Sequence, residues 1–184
     1  MKKLFTALSF SIILLFALVG SSNAESNRES QPNDQQDTLD SAYAYLKKAV
    51  NAYKAGDYET ALILFTPLAE KGSILAQGIL GAMYGEGLGT PKNLEVSVKW
   101  LTLAAEQGDA EAQMLIGIAH HQGDGVPKNS VVAARWFTVA AEEGIVGAQY
   151  RLGIMYHYGD GVIQDYKTAV KWYTLAAEQG HANA

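Results

Sequence analysis

The stretch that decides the fold is residues 148–180, which read AQYRLGIMYHYGDGVIQDYKTAVKWYTLAAEQG. Residues 112–144 and 76–108 follow the same pattern. The glycines that close the units recur every 36 residues, at Gly72, Gly108, Gly144 and Gly180. The tryptophans keep the same interval, at Trp100, Trp136 and Trp172. A fixed period of this length is typical of helical-repeat proteins, so the chain is predicted to be an array of similar units.

Each unit contains two segments in which apolar and small residues recur at helical spacing. The first helix of each pair, helix A, is predicted at 74–86, 110–122 and 146–158, and the second, helix B, at 94–107, 130–143 and 166–179. A loop with two glycines one residue apart joins them, because glycine adopts the positive φ that ends a helix. The residues placed to cap helix B are Asn93, Asn129 and Asp165. The pattern predicts an all-α fold of antiparallel helix hairpins.

Three recurring positions inside the helices are predicted to serve packing. A glycine inside a helix costs about 1 kcal/mol relative to alanine, so the recurring Gly81, Gly117 and Gly153 indicate close approach of two helix backbones. The tryptophans are interpreted as core residues that fill the space between hairpins and contribute most of the buried area, rather than as ligand-stacking platforms. The glutamines predicted to bond to backbone groups at the junctions between units are Gln77, Gln113 and Gln149.

The beginning of the chain differs in composition from the repeats. Residues 1–24 carry Lys2 and Lys3, an apolar run and a small-residue site at Ala24, the pattern of a cleaved secretory signal peptide. The apolar run is shorter than the roughly 20 residues that a bilayer span needs, which disfavours an uncleaved anchor. Residues 25–38 contain no aromatic or aliphatic residue and are predicted to be a disordered polar tether. We therefore expect an exported protein without stable membrane insertion after cleavage.

Composition excludes several classes of protein. The 184 residues include no cysteine, which excludes disulfides, thiolate metal sites and a cysteine nucleophile. The formal charge of −5 argues against nucleic acid as a partner. No serine lies in a nucleophile-elbow pattern, and no glycine loop is followed by the Lys-Ser or Lys-Thr pair that holds phosphate. The chain is predicted not to be an enzyme and to need no cofactor.

The histidines are the remaining candidates for chemistry. His120 and His121 are adjacent on a helix and point about 100° apart, so they do not readily share one ion. His121 and His157 occupy equivalent positions in neighbouring units, but a metal between them would need a third ligand that the sequence does not nominate. No metal site is therefore predicted, and His120 is interpreted as a core residue whose ring nitrogen is satisfied.

The units resemble a known family. The pattern Ala-Gln-x-x-Leu-Gly-x-x-Tyr, then Gly-x-Gly-Val, then Ala-x-x-Trp-x-x-x-Ala-Ala-Glu-Gln-Gly, best seen at 148–180, resembles the Sel-one-like repeat, a tetratricopeptide-like class. The resemblance implies a right-handed α-solenoid with repeats at 72–107, 108–143 and 144–180 and a short tail at 181–184. Residues 39–71 resemble the tetratricopeptide-type hairpin that opens such arrays.

This resemblance implies a non-enzymatic scaffold that binds a protein or peptide. The periplasm of a Gram-negative-type bacterium is the expected location, with release outside the cell as the alternative. A secreted effector that binds host proteins is a rival function. Some cysteine-rich members resemble penicillin-binding or β-lactam-hydrolysing proteins, but those carry paired cysteines in every unit and this chain has none.

The surface expected to bind the partner is the concave face, which the A helices of such solenoids line. Function should lie where the copies differ, although unselected surface drift produces the same differences. The predicted contacts are Ile79, Glu86, Leu115, Ile118, Gln122, Arg151, Ile154 and Tyr158, with His121 and His157 beside them. Arginine and tyrosine are enriched at interface hot spots, and the histidines are expected to make binding sensitive to mildly acidic pH.

The last hairpin is predicted to carry a second contact surface. Ala184 aligns with Ala148, so the sequence halts where a further helix A would begin. A terminal hairpin without a polar cap exposes apolar surface on helix B, unless the outer face of that helix is amphipathic. The candidate residues are Val170, Tyr173 and Ala177, which a partner protein or a second copy of the chain is expected to cover.

Overall fold

The computed structural model describes the backbone of residues 34–184 and the side chains of residues 42–184, and the hairpin array lies within residues 46–184. The regular structure of the described residues is α-helical. The first two helices are α1 (Asp34–Lys54) and α2 (Tyr58–Glu70). In the three units that follow, the A helices are α3 (Ile74–Glu86), α5 (Ala110–Gln122) and α7 (Val146–Tyr158). The B helices are α4 (Leu94–Glu106), α6 (Ser130–Glu142) and α8 (Tyr166–Glu178).

The helices predicted in the three units are confirmed. The A helices have the predicted bounds, and each B helix ends one residue earlier than predicted, because that residue is the C-cap. The predicted N-caps are also confirmed: the side chains of Asn93 and Asn129 each accept a backbone N–H at 3.1 Å, and Asp165 accepts one at 3.0 Å. The helix boundaries are therefore set by local capping in every unit.

The first helix begins earlier than the sequence indicates. The disordered tether is predicted to extend to Thr38, but residues 34–38 belong to α1. A residue added to an existing helix gains a hydrogen bond without the free-energy cost of nucleating a new helix. A helix can therefore extend into polar sequence. The predicted signal peptide and residues 25–33 lie outside the described residues. Within the described part of the chain, no helix is long and apolar enough to cross a bilayer.

The mid-helix glycines make room for a side chain of the paired B helix. A Cβ added at Gly117 would lie 2.7 Å from the ring of Phe137, and a Cβ added at Gly153 would lie 2.7 Å from the ring of Tyr173. Each ring belongs to the residue that follows the tryptophan. The close approach is therefore confirmed, but the group that approaches is chiefly a side chain and not the backbone that the sequence predicts.

The tryptophans are half-buried. Trp136 packs against a core cluster that contains Leu101 and Ile116, which confirms its place between hairpins. The largest fully buried side chains of the described residues include Phe137 and Leu152 but none of the tryptophans. The residue after each tryptophan, and not the tryptophan, faces the glycine-lined interior of each hairpin. That tryptophan contributes most of the buried area stays a prediction.

The second glycine of each loop joins one unit to the unit before it. A Cβ added at Gly125 would overlap the carbonyl group of Leu94, the first residue of α4. A Cβ added at Gly161 would overlap that of Ser130, the first residue of α6. Each loop thus rests on the backbone at the start of the preceding B helix. The turn pattern alone does not predict this contact.

The shared glutamines bond to the backbone at the junctions, as predicted. Each donates from Nε2 to a carbonyl group: Gln77 to Ala69 at 3.0 Å, Gln113 to Ala105 at 3.2 Å and Gln149 to Ala141 at 3.1 Å. In the first and third units their Oε1 atoms accept from Gln107 and Gln179. The equivalent residue of the middle unit is Glu143, and the buried Oε1 of Gln113 has no partner among the described residues.

Candidate protein-interaction face

The second, sixth, ninth and thirteenth residues of the A helices form the face predicted to bind a partner, called the A-face below. Its members are Leu75, Ile79, Ala82 and Glu86 on α3, Glu111, Leu115, Ile118 and Gln122 on α5, and Gly147, Arg151, Ile154 and Tyr158 on α7. Helical spacing places the members of each helix on one side of it. The three helices expose these members to different extents.

Helix α3 contributes little accessible surface to the A-face. Ile79 and Ala82 are only 1% and 2% exposed, whereas Glu86 at the end of the helix is exposed. A side chain with so little exposed surface has no area to offer a partner. Ile79 is therefore a core residue, which corrects its place in the predicted set. The accessible A-face therefore lies mainly on α5 and α7, and α3 adds the half-buried Leu75 and the exposed Glu86.

The apolar members on α5 and α7 are half-buried. Leu115, Ile118 and Ile154 each keep part of their surface accessible, and Gln122 and Tyr158 at the helix ends are exposed. Ile118 packs against the core cluster formed by α5, α6 and α7, and Leu115 packs against the cluster of the preceding junction. These side chains are held by the core on one side and open to solvent on the other. Such a surface suits contact with another apolar surface.

Arg151 is a charged member of the A-face. Its Cζ atom lies 5.9 Å from the centroid of the Phe137 ring, within range of a cation–π contact. Burial lowers the pKa of the Arg151 guanidinium from its usual value. Among the residues that the structure describes, no carboxylate forms an ion pair with this group and no hydrogen bond holds it. A half-buried guanidinium is thus left without a counter-charge.

Glu111 begins the A-face on α5. Burial, followed by the charge of Asp109, raises the pKa of its carboxyl group. No ion pair to Glu111 occurs within the described part of the chain. Gly147 holds the equivalent position on α7, where an added Cβ would lie 2.9 Å from the sulfur of Met114. The A-face of α5 and α7 therefore combines apolar side chains with two unpaired charges of opposite sign.

His121 is held by the loop of the following unit. Its Nε2 atom lies 2.8 Å from Oδ2 of Asp160, and the hydroxyl group of Ser130 bonds to the same carboxylate. These contacts lower the pKa of Asp160, and the Ser130 hydrogen bond is the largest cause. Among the described residues, no hydrogen bond joins the His121 ring to the Ser130 hydroxyl. The trio therefore lacks the contact that activates a serine nucleophile.

The other histidines have different surroundings. The ring of His157 lies 4.7 Å from that of Tyr158 and 5.3 Å from that of Tyr166, so it belongs to an aromatic group at the end of α7. The Nδ1 atom of His120 is buried without a hydrogen-bond partner, which corrects the prediction of a satisfied ring. Among the described residues, no group of three or more histidine and acidic side chains is placed to hold a metal ion.

Sequence reasoning missed the residues that contact the predicted ones. Phe137 lies beneath Arg151, and Asp160 holds His121 from a position 39 residues later. The equivalent residues at the preceding junction are Gly85 and Asp124, so the aspartate recurs there without the histidine, and no signal in the sequence marks the second pair.

Comparison with known proteins assigns the family. The Sel1 repeat family model matches residues 74–109, 110–145 and 146–181. A Sel1 repeat protein from Oxalobacter formigenes is 37% identical with a TM-score of 0.69, over 72% of this chain and 54% of that one. A protective antigen of uropathogenic Escherichia coli that displays an SLR fold is 34% identical with a TM-score of 0.73, over 83% of this chain and 34% of that one. Cysteine-rich protein B of Helicobacter pylori shares the fold at 20% identity, with a TM-score of 0.55 over 69% of this chain and 91% of that one.

The fold is that of an α-solenoid, as predicted, and Sel1 repeat proteins are generally non-enzymatic scaffolds for protein interaction. The chain belongs to the Sel1 repeat family. It spans 54% of the Oxalobacter formigenes protein and 34% of the Escherichia coli antigen. Among curated proteins, none matches the chain by sequence comparison.

Proposed function

We propose that the protein is an exported scaffold that binds another protein through the A-face of α5 and α7. The observation that carries this proposal is the set of half-buried apolar side chains Leu115, Ile118 and Ile154. Arg151 lies on the same face, and Tyr158, 72% exposed, ends it. Arginine and tyrosine are among the residue types enriched at interface hot spots. Glu86, Gln122, His121 and His157 complete the proposed contact surface at its margins.

Cross-linking in the native cell envelope, followed by purification, tests this proposal. We expect Arg151→Glu and Tyr158→Ala to reduce the amount of cross-linked partner while leaving helical content and melting temperature unchanged. Ile163→Ala is the matched control, because Ile163 is an exposed apolar residue outside the A-face. Equal capture by wild type and by both A-face variants would contradict the proposed surface.

Export is the second part of the proposal. It rests on the signal-peptide pattern of residues 1–24, and a similar chain is a protective antigen of Escherichia coli. The periplasm is the proposed location, and a secreted effector that binds host proteins is the alternative. Cell fractionation separates the two, since an adaptor is retained in the envelope and an effector is found in the medium. Recovery in the cytoplasm at full length would contradict both.

The last hairpin supplies a second candidate function, association with another protein or a second copy. Val170 is 61% exposed, whereas the equivalent Val98 and Ala134 are 8% and 4% exposed where the following unit covers them. Ala177 is also exposed, but Tyr173 is half-buried against Gly153. Sedimentation equilibrium tests association between copies. We expect a concentration-dependent dimer that Val170→Glu abolishes, and a monomer at every concentration would contradict it.

A further inference from the structure

Arg151 is an A-face residue whose guanidinium has neither an ion pair nor a hydrogen bond among the described residues. Its counterparts in the other units are the apolar Ile79 and Leu115. A guanidinium at a half-buried position loses hydration, which is unfavourable unless another group restores its hydrogen bonds. Within the described part of the chain it meets the face of the Phe137 ring and no hydrogen-bond acceptor. An aromatic ring offers no oxygen to its N–H groups.

A carboxylate is the group that completes this site. The planar guanidinium presents paired N–H donors that match the two oxygens of a carboxylate in a bidentate contact. Glu111 lies on the same face but forms no ion pair with Arg151 in the structure. The guanidinium nitrogens of Arg151 are not among the buried unpaired atoms of the described residues, so they remain open to an oxygen ligand from another molecule.

The surroundings of Arg151 restrict the rest of the ligand. Ile154 follows one turn later on α7, and Leu115 and Ile118 extend the apolar surface on α5. The whole chain carries a formal charge of −5, so a segment rich in acidic residues is repelled at long range. A segment with one carboxylate in an otherwise apolar sequence satisfies both conditions.

We propose that Arg151 binds the side-chain carboxylate of a single Asp or Glu in an otherwise apolar segment of the partner protein. The apolar neighbours of that acidic residue pack on Leu115, Ile118 and Ile154. This inference rests on the proposed function, because it specifies what the same A-face recognises.

Displayed peptide libraries test the inference. Three libraries carry Glu, Gln or Lys at a fixed central position among randomised, mainly apolar residues, and display through their C-termini excludes a terminal carboxylate. They are presented to the protein as purified from cells that express it. We expect wild type to bind the Glu library about tenfold more tightly than the Gln library, because charge-assisted hydrogen bonds are roughly twice as strong as neutral ones.

Three variants make the test specific. Arg151→Leu introduces the residue that Leu115 already provides at the equivalent position, so the fold is expected to persist while the preference for Glu over Gln disappears. Arg151→Lys keeps the charge without the paired donors, and we expect it to weaken the preference several-fold. Arg135→Gln removes an exposed arginine from α6 and should leave the preference unchanged.

Two results would overturn the inference: equal binding of the Glu and Gln libraries by wild type, or a Glu preference that survives in Arg151→Leu. Wild type that binds none of the libraries also rejects it. The proposed function is judged separately by the cross-linking experiment. Capture of a partner that depends on Tyr158, without any preference for Glu, would reject the carboxylate site and leave the scaffold role standing.

Discussion

Replacement of Glu143 by glutamine is expected to stabilise the protein. In the first and third units, an amide at this position donates to the Oε1 atom of the junction glutamine, at 2.6 Å and 2.8 Å. In the middle unit, the buried Oε1 atom of Gln113 lacks a donor. A carboxylate accepts hydrogen bonds and donates none, whereas a glutamine amide has two hydrogens to donate. The Glu143→Gln variant therefore supplies the hydrogen bond that the other two units already make.

Two physical effects set the size of this change. A net hydrogen bond contributes about 0.5–1.5 kcal/mol, and an unpaired buried acceptor favours the upper part of that range. The substitution also removes a negative charge from the C-terminal end of α6, where the helix dipole disfavours it by about 0.3–1 kcal/mol. We expect the free energy of unfolding to rise by about 1–2 kcal/mol and the melting temperature to rise by about 2–8 °C.

Thermal melting followed by circular dichroism measures the change. Glu142→Gln is the matched control, because it removes the same charge one residue earlier without placing an amide at the donor position. In a Gln113→Leu background, Glu143→Gln should lose the hydrogen-bond part of its effect. The reverse change, Gln179→Glu, is expected to destabilise the third unit. Equal gains from Glu142→Gln and Glu143→Gln would refute the reasoning.

Two further predictions concern packing and acid stability. Gly117→Ala is expected to destabilise by about 1–3 kcal/mol, because its Cβ would lie 2.7 Å from the Phe137 ring. Gly78→Ala has room for its Cβ, whose nearest neighbour would lie 3.7 Å away, and is expected to stabilise by about 0.5–1 kcal/mol. Melting-temperature shifts of the same sign in these two variants would contradict this account. Asp160→Asn tests the contacts of this carboxylate with Ser130 and His121. Those contacts lower the pKa of Asp160 in the folded state, so the carboxylate stabilises the fold above its unfolded pKa of about 3.9, and this stabilisation is lost as pH falls through the lower folded value. The melting-temperature difference between wild type and Asp160→Asn should therefore shrink below about pH 4, and a difference that is constant down to strong acid would count against these contacts.

The structural features that the three copies share were predictable from the period of the sequence. Helix bounds and caps recur in every unit because capping depends on residues only a few positions apart. Similar local sequences therefore form the same helix boundaries in all three copies. The junction glutamines were predictable for the same reason. Their backbone partners occupy equivalent places in each copy.

Contacts between non-equivalent residues were not predictable in this way. Ile79 and Ile154 both lie on the A-face in sequence, yet only Ile79 is fully buried, because burial depends on which element lies beside each unit. The pairing of His121 with Asp160 joins two units and occurs at one junction, so the repeat pattern does not reveal it. The orphaned Oε1 atom of Gln113 depends on a single departure from the repeat at Glu143.

The contacts of the loop glycines affect how such a repeat array can evolve. Gly125 and Gly161 rest on main-chain atoms at the start of the preceding B helix, where the side chains are those of Leu94 and Ser130. A contact with main-chain atoms does not depend on which side chain is present there. A whole hairpin can therefore be duplicated, deleted or exchanged without matching substitutions where the loop glycine meets the preceding B helix. The residue at the start of each B helix is also free to acquire an unrelated role, as Ser130 has in its bond to Asp160.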